Sequence, residues 1–274
     1  MKDKLLFQFS VGKVPQGEAI TSEEAEARLL ARLDQRGGQC SDTLWSLAVL
    51  YSRTDRLADT RNCLDRLLAL AQDLEERAHC ILAMGQLMEK YRDYEGAVKY
   101  YRQAFEMEPC RTEVWYFINN NLGFSLNQIG MYQEAESFLK AAIVIDPCRP
   151  NAHKNLGLCH VGLGDFAFAS RCFVEATQVN ASDGRSVKHL EDLVLAHPEL
   201  LVDEKDMAEE LEACRKAVEV ARAQQPDWQA EWKKRRELGR QEHTGPESGE
   251  KHAHYRFGHS SVGQAETAGG MAPQ

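Results

Sequence analysis

Primary amides are the functional groups that this sequence places at a repeated spacing. Asn119, Asn120 and Asn121 are consecutive, and Asn155 follows Asn121 by 34 residues within the same local pattern. A primary amide both donates and accepts hydrogen bonds, so a row of amides can bind an extended peptide backbone whatever its side chains are. Asparagine is a poor helix former, and three in succession therefore need a reason. The pattern favours polypeptide binding; the alternative is that these residues cap or solvate an exposed turn.

The sequence offers little for catalysis or metal binding. It contains no GxxxxGK[ST] loop, no GxSxG or HExxH motif and no dinucleotide-binding glycine pattern after a strand. The eight cysteines form no CxxC pair, and we interpret them as small buried hydrophobic residues. His252 and His254 are close enough in sequence to chelate a metal, but a dilute histidine-containing disordered tail explains them better. We therefore predict a protein that is not an enzyme and binds no cofactor or metal.

Composition narrows the class of partner. The chain has 274 residues, a formal net charge of -9 and a pI near 5.5, which argues against a nucleic-acid binder because phosphate contact requires a basic face. No stretch approaches the ~20 apolar residues of a membrane span, so we expect no direct membrane insertion. The first residues lack the apolar core and cleavage site of a secretory signal, and we expect a cytoplasmic protein.

The elements that carry the amides repeat. Asn121-Leu122-Gly123 returns as Asn155-Leu156-Gly157, and Ala135 returns as Ala169, all at an offset of 34 residues without a gap. A fixed period of this length is typical of stacked-repeat architectures. The residues at these positions resemble the tetratricopeptide repeat, a helix–turn–helix unit. The resemblance implies an all-α, right-handed superhelical solenoid of about four units with capping helices on both sides.

Four units align on a small residue of their first helix. The predicted units run over 41–74, 78–111, 116–149 and 150–183. Within a unit, a small residue such as Gly123 lets the second helix cross closely, and a bulky one such as Leu139 follows on that second helix. Four extra residues, 112–115, precede the third unit and predict one additional turn of its first helix; the alternative is an extended loop. Gly130 and Gly164 lie in the turns between helices, where glycine supplies freedom in φ.

The flanks are expected to cap the array. Residues 1–40 are predicted to form an irregular segment followed by a capping helix that begins near Ser22. Residues 184–240 are predicted to form C-terminal capping helices, and 241–274 a disordered tail. Trp228 and Trp232 lie beside a basic run, and we favour packing on their own domain over docking to a partner or membrane.

The resemblance also implies a binding surface. In tetratricopeptide arrays the first helices line the concave groove, where a protein or peptide partner binds. The residues of the third and fourth first helices predicted to face that groove are Phe117, Asn120, Asn121, Phe124, Asn127, Gln128, Asn151, Lys154, Asn155 and Leu158. Asn121 and Asn155 are expected to stack along it, and Leu82 joins Phe117 and Phe124 as an apolar candidate. The family's clamp for a terminal carboxylate is rejected, because Lys154 lacks its partner cations.

These expectations predict an adaptor or assembly factor that holds a peptide or helix of another protein. Two alternatives stay open: a chaperone for secreted or membrane-associated clients, and a regulatory subunit of an enzyme. The terminal helices would allow a homodimer, which the sequence does not decide.

Overall fold

The computed structural model describes residues 22–203 and 206–224. Residues 1–20, Trp228, Trp232 and the tail histidines lie outside the described residues. Within the described ranges the regular structure is helical throughout. The helices are α1 Ser22–Gln35, α2 Ser41–Arg53, α3 Leu57–Leu70, α4 Leu74–Lys90, α5 Tyr94–Phe105, α6 Thr112–Gln128, α7 Tyr132–Ile145, α8 Pro150–Leu163, α9 Phe166–Val179, α10 Arg185–Ala196, α11 Leu200–Asp203 and α12 Met207–Gln224.

Successive helices pair as hairpins. The pairs α2–α3, α4–α5, α6–α7 and α8–α9 each pack together, and each of α3, α5 and α7 also contacts the first helix of the next pair. The first helices α4, α6 and α8 in addition contact one another in series. The predicted all-α array of stacked hairpins is confirmed.

Two first helices are longer than the others. Helix α6 begins at Thr112, so the four extra residues add a turn, as predicted. Helix α4 begins at Leu74, although the predicted unit 41–74 places this residue in the first hairpin. The helix starts four residues before the predicted second unit, which began at 78, because a capping motif precedes Leu74. The Asp73 carboxylate accepts from the backbone N–H of Glu76 at 2.8 Å, and Glu76 accepts from the backbone N–H of Gln72 at 2.8 Å. Such reciprocal bonds satisfy backbone donors at a helix start.

Glycine sets the distance between the two helices of a hairpin. A Cβ atom added at Gly123 would lie 2.5 Å from Leu139 Cγ, and one added at Gly157 would lie 2.6 Å from Phe173 Cε1. At Gly85 the same atom would lie 2.4 Å from the Tyr101 ring. These distances are far below carbon–carbon contact, so the bulky residue of each second helix occupies the space that a side chain would need. The interlock predicted from the sequence is confirmed in three hairpins.

The four hairpin turns share one backbone conformation. Each contains one left-handed residue, followed by a residue whose backbone N–H donates to the carbonyl five positions earlier at 2.8 to 3.0 Å. This is the bond of a Schellman motif, which satisfies a carbonyl at the end of the first helix. The left-handed residues are Asp55, Arg92, Gly130 and Gly164. The turn geometry is therefore fixed even where glycine is absent.

Polar contacts link the start of α4 to that of α6, and the start of α6 to that of α8. The Glu75 carboxylate accepts from the backbone N–H groups of Cys110 and Arg111, at 2.7 and 3.3 Å. One unit later, Arg149 Nη2 lies 3.3 Å from Glu113 Oε1. These contacts span one repeat period and tie neighbouring hairpins together at the same end.

The last hairpin is covered by helices that do not form a fifth hairpin in register. Helices α10 and α12 both pack on α9 and on each other. Helix α12 buries Met207, Leu211, Cys214 and Val218 on one side. Six of the eight cysteines are buried, while Cys110 and Cys148 are exposed in turns. Burial raises the pKa of the Cys63 thiol to about 11, which suits a packing role.

Substitution Gly157→Ala is expected to lower the free energy of unfolding by up to about 2 kcal/mol, since overpacking against Phe173 costs about 1–3 kcal/mol and the gain in helix propensity offsets about 1 kcal/mol of it. Urea denaturation of the four chains that combine Gly157→Ala with Phe173→Leu measures this. The alanine should be less costly in the Phe173→Leu background, because the shorter side chain leaves room; equal cost in both backgrounds would contradict the interlock.

Substitution Arg92→Gly is expected to raise the free energy of unfolding by about 0.5–1 kcal/mol, because glycine adopts the left-handed conformation without the penalty that other residues incur. Gly164→Ala provides the matched control and should shift it in the opposite direction by a similar amount. Thermal unfolding of both variants checks the pair. A loss of stability in Arg92→Gly would show that the Arg92 side chain, not its backbone, matters at this turn.

Candidate peptide-binding surface

The first helices are buried on more than one side. Helix α7 has a single buried stripe of Ala135, Leu139 and Ala142, whereas most residues of α6 and α8 are buried. The difference arises because a first helix packs on its own partner and on the first helices before and after it. Polar side chains at these positions are consequently enclosed between repeats.

A chain of amides crosses from α6 to α8. Asn155 Nδ2 donates to Asn120 Oδ1 at 3.0 Å, and Asn120 Nδ2 donates to Asn121 Oδ1 at 2.9 Å. Asn127 Nδ2 donates to the backbone carbonyl of Asn155 at 2.9 Å. We call Asn120, Asn121, Asn127 and Asn155 the amide chain. Asn121 and Asn155, predicted to stack on each other, are thus joined through Asn120.

A buried tyrosine lies close to Asn121 of the amide chain. The Tyr101 hydroxyl donates to Glu89 Oε2 at 2.9 Å. Burial, followed by the charge of Glu89 and its hydrogen bond, holds the pKa of Tyr101 well above its ordinary value. The phenol is therefore a permanent donor that connects α5 to the first helices. Tyr101 stands at the bulky position of its second helix, where the other units have Leu64, Leu139 and Phe173, so its position predicts packing, and only its hydroxyl signals a polar role.

Two acceptors of the amide chain lack partners. Asn127 Oδ1 and Asn155 Oδ1 are both buried, and neither has a hydrogen-bond partner among the described residues. A buried acceptor without a partner costs about 1–3 kcal/mol. The arrangement can accept further N–H donors at this surface.

The ten predicted groove residues differ in accessibility. Asn121, Phe124, Asn151 and Leu158 are half-buried and Gln128 is exposed. The buried members are Phe117, Asn120, Asn127, Lys154 and Asn155. The accessible part of the predicted surface is therefore a rim of five side chains above the buried amides.

The apolar part of the prediction needs correction. Phe117 and Leu82 are each 1% exposed, so neither presents a free side chain. The Phe117 ring is covered by the Arg149 guanidinium, 4.9 Å from the ring centroid, and by the edge of Tyr116. The reason is the extra coverage that each first helix receives from its neighbour. Phe124, whose ring meets Tyr94 edge-on at 6.1 Å between centroids, remains accessible in part.

Solved structures of other proteins share the fold of this chain. No protein-family model matches the chain. Among solved structures, YrrB, described as "a TPR protein with an unusual peptide-binding site", superposes with a TM-score of 0.50 at 16% identity, over 70% of this chain and 95% of that one. PilW, described as a type IV pilus biogenesis factor, gives a TM-score of 0.50 at 17% identity, over 70% and 90%. The chain has the tetratricopeptide-repeat fold.

Two curated relatives match only part of this tetratricopeptide-repeat chain. The BBSome complex member BBS4 homolog of Drosophila melanogaster is 25% identical over 129 residues, 47% of this chain and 25% of that protein. DnaJ homolog subfamily C member 7 of Mus musculus is 24% identical over 115 residues, 42% of this chain and 22% of that protein. The matched part of the chain thus spans about a quarter of the length of these relatives.

Within the tetratricopeptide-repeat array, Lys154 has a structural environment. The residue is 3% exposed, and its ammonium donates to Asn151 Oδ1 at 3.0 Å. Its charge also helps lower the pKa of Asp183. The ammonium of Lys154 is therefore enclosed by neighbouring residues of the array.

A further polar side chain between repeats, that of His79, has a pKa well below its ordinary value. His79 on α4 stacks on Trp45 of α2, with ring centroids 4.6 Å apart. Burial and the charge of Arg111 lower its pKa from the ordinary 6.5 to about 4. Between these values the unfolded chain binds more protons than the folded one, so His79 destabilises the fold as the pH falls from 6.5 towards 4.

Substitution His79→Phe is expected to make the array less sensitive to acid. Between about pH 6.5 and 4.5 the wild type should lose about 1–2 kcal/mol more of its free energy of unfolding than the variant does. Urea denaturation followed by tryptophan fluorescence at several pH values measures the difference. Identical pH profiles would mean that His79 is not buried as a neutral base.

Proposed function

We propose that the chain is a non-catalytic protein-interaction module, an adaptor or assembly factor that holds an extended segment of a partner along α4, α6 and α8. The observation that carries the proposal is the amide chain between α6 and α8, with Asn155 Nδ2 3.0 Å from Asn120 Oδ1. Amides recognise the peptide backbone, which every partner segment offers.

The unpartnered acceptors favour a polypeptide ligand. A backbone N–H that reaches Asn155 Oδ1 or Asn127 Oδ1 supplies a bond that the folded chain does not make among its described residues. Each bond gained in this way relieves a desolvation cost of about 1–3 kcal/mol. Both oxygens lie under the rim, so the bound segment displaces half-buried side chains such as Asn121 and Phe124.

The five accessible side chains of the rim add limited selectivity for the side chains of the partner segment. Phe124 and Leu158 are one repeat apart at equivalent positions, and both are half-buried apolar residues. Successive residues of an extended peptide on the same side could contact the two in turn. The partner segment therefore carries apolar side chains as well as an accessible backbone.

The titratable groups of this surface serve the structure. Glu89 accepts from Tyr101, and Lys154 donates to Asn151. An acid–base catalyst needs a group within reach of a substrate proton, and these two groups are held by neighbouring repeats instead. This supports a binding role over catalysis.

An assembly role agrees with one structural neighbour. PilW, which shares the fold, is described as a biogenesis factor for a type IV pilus.

The alternative function, a chaperone for secreted or membrane-associated clients, uses the same surface and differs in the kind of protein that is bound. Binding of a folded partner's terminal segment favours the adaptor, and binding only of a client that is insoluble alone favours the chaperone.

The double substitution Asn121→Ala/Asn155→Ala is expected to weaken peptide binding about tenfold or more, because two amide contacts of about 1 kcal/mol each are lost. The probe is a peptide selected on the wild type from a random library of roughly 12-residue peptides displayed on phage, then synthesised with a fluorophore. Fluorescence anisotropy measures its Kd for each variant.

Asn119→Ala is the matched control. Asn119 is buried beside the amide chain, but its Nδ2 donates within α6 to the Trp115 carbonyl at 2.8 Å. The control should keep wild-type affinity, and melting temperatures establish that all chains are folded. The proposal is overturned if the wild type selects no peptide, or if the double substitution leaves Kd unchanged.

A further inference from the structure

The predicted groove residues of α6 and α8 present no exposed charge. Residues 114–133, which include most of α6, contain no charged residue. Among the ten groove residues the one charged side chain is that of Lys154, which is 3% exposed. Phe124, Leu158 and Val161 present apolar atoms on the same two helices, and all three are accessible at least in part. A segment that binds here should be uncharged, because enclosing a charge without a partner is costly.

The sequence of this chain contains an uncharged segment with apolar residues at every second position. Residues 5–12, which precede the described part of the chain, carry no charge. The alternating apolar residues are Leu5, Phe7, Phe9 and Val11, and Gln8 and Ser10 stand between the last three. In an extended chain, residues two apart point to the same side, so the two phenylalanines would share one side and Gln8 would face the other. The pattern matches the segment that the surface requires.

The first turns of α1 lie beside the end of α2. Glu26 Oε1 accepts from the Tyr51 hydroxyl at 3.0 Å, and Glu26 Oε2 accepts from Arg56 Nη1 at 2.7 Å. Phe124 and Leu158 lie in the corresponding later half of the first helices α6 and α8. The chain that precedes α1 therefore starts from the side of the array on which these apolar residues lie.

The length of chain before α1 is sufficient to reach them. Residues 12–22 can span about 36 Å when extended, at about 3.3 Å per residue. Three repeat steps lead from α2 to α8, and packed helices lie about 8–10 Å apart, so the distance to cover is about 24–30 Å. Residues 5–11 of the same chain can therefore reach both α6 and α8.

We infer that residues 5–11 of the chain itself occupy the surface of α6 and α8, with Phe7 and Phe9 against Phe124 and Leu158. This inference rests on the proposed peptide binding at the same surface. Phe7 and Phe9 of an extended segment lie about 7 Å apart, which is comparable with the distance of about 8–10 Å between the axes of packed helices. Both the segment and the surface are uncharged, so neither loses an ion pair or hydration of a charge on contact.

The same contact supplies donors to the amide chain. Asn127 Oδ1 and Asn155 Oδ1 are buried acceptors without partners among the described residues, and backbone N–H groups of the segment can donate to them. A partner segment then has to displace residues 5–11. The apparent affinity for a partner is therefore reduced by the fraction of chains in which the surface is free.

The variant Phe7→Ala/Phe9→Ala of the full chain tests this occupancy. The probe is the fluorescent peptide selected from the library, and its Kd should be about fivefold lower for this variant than for the wild type, because the competing segment binds less well. Gln8→Ala/Ser10→Ala is the matched control, since these residues alternate with the two phenylalanines, and it should leave Kd unchanged. Fluorescence anisotropy measures each Kd, and melting temperatures establish that all chains are folded.

A synthetic peptide of residues 1–14 provides a second measurement. It should displace the library peptide from the Phe7→Ala/Phe9→Ala chain, whereas the same peptide with both phenylalanines replaced by alanine should not. The inference is overturned, and the proposed function stands, if the library peptide binds but is not displaced, or if its Kd is equal for the variant and the wild type.

Two further outcomes are decisive. Gel filtration that shows a wild-type dimer lost in the Phe7→Ala/Phe9→Ala chain would assign the segment to a second copy and overturn occupancy within one chain. Failure of every chain to bind any library peptide would overturn both the inference and the proposed function.

Discussion

The close crossing of the two helices in a hairpin is the constraint on which the other features depend. At Gly85, Gly123 and Gly157 a ring or a leucine of the second helix fills the place of a Cβ atom. This contact fixes the distance and angle of the hairpin, and each second helix then positions the next first helix. The 3.0 Å bond from Asn155 to Asn120 joins two first helices that are positioned in this way. The proposed binding surface therefore depends on the packing at the opposite side of the first helices.

The sequence pattern within a hairpin predicted the features that depend on that hairpin alone. The 34-residue offset gave the helix pairs, and the alternation of small and bulky residues gave the interlock at Gly123 and Leu139. Both follow from helical periodicity, which a single sequence displays. The start of α4 at Leu74 was predictable too, since Asp73 and Glu76 form a capping pattern. The repeat units were aligned on the small residue of each first helix, and that alignment placed the start of the second unit at 78 instead.

Contacts between hairpins were harder to predict. The enclosure of Phe117, Asn120 and Lys154 depends on how closely successive first helices approach, and the period does not specify that distance. The left-handed turn at Arg92 is imposed by the same geometry on a residue that does not favour it. The position of Tyr101 in its repeat is that of a core residue, but its hydroxyl gains a partner only because Glu89 of another helix lies 2.9 Å away.

The side chains buried between neighbouring hairpins change from apolar to polar along the array. At the places of Asn120 and Asn121, the second unit has Leu82 and Ala83, which are 1% and 2% exposed. Apolar side chains therefore suffice to stack one hairpin on the next, and they leave no acceptor unpaired. The amides of the third and fourth units cost stability by comparison, since Asn155 Oδ1 and Asn127 Oδ1 lack partners among the described residues. A purely structural array gains nothing from this exchange, whereas an array that must bind a backbone needs these groups.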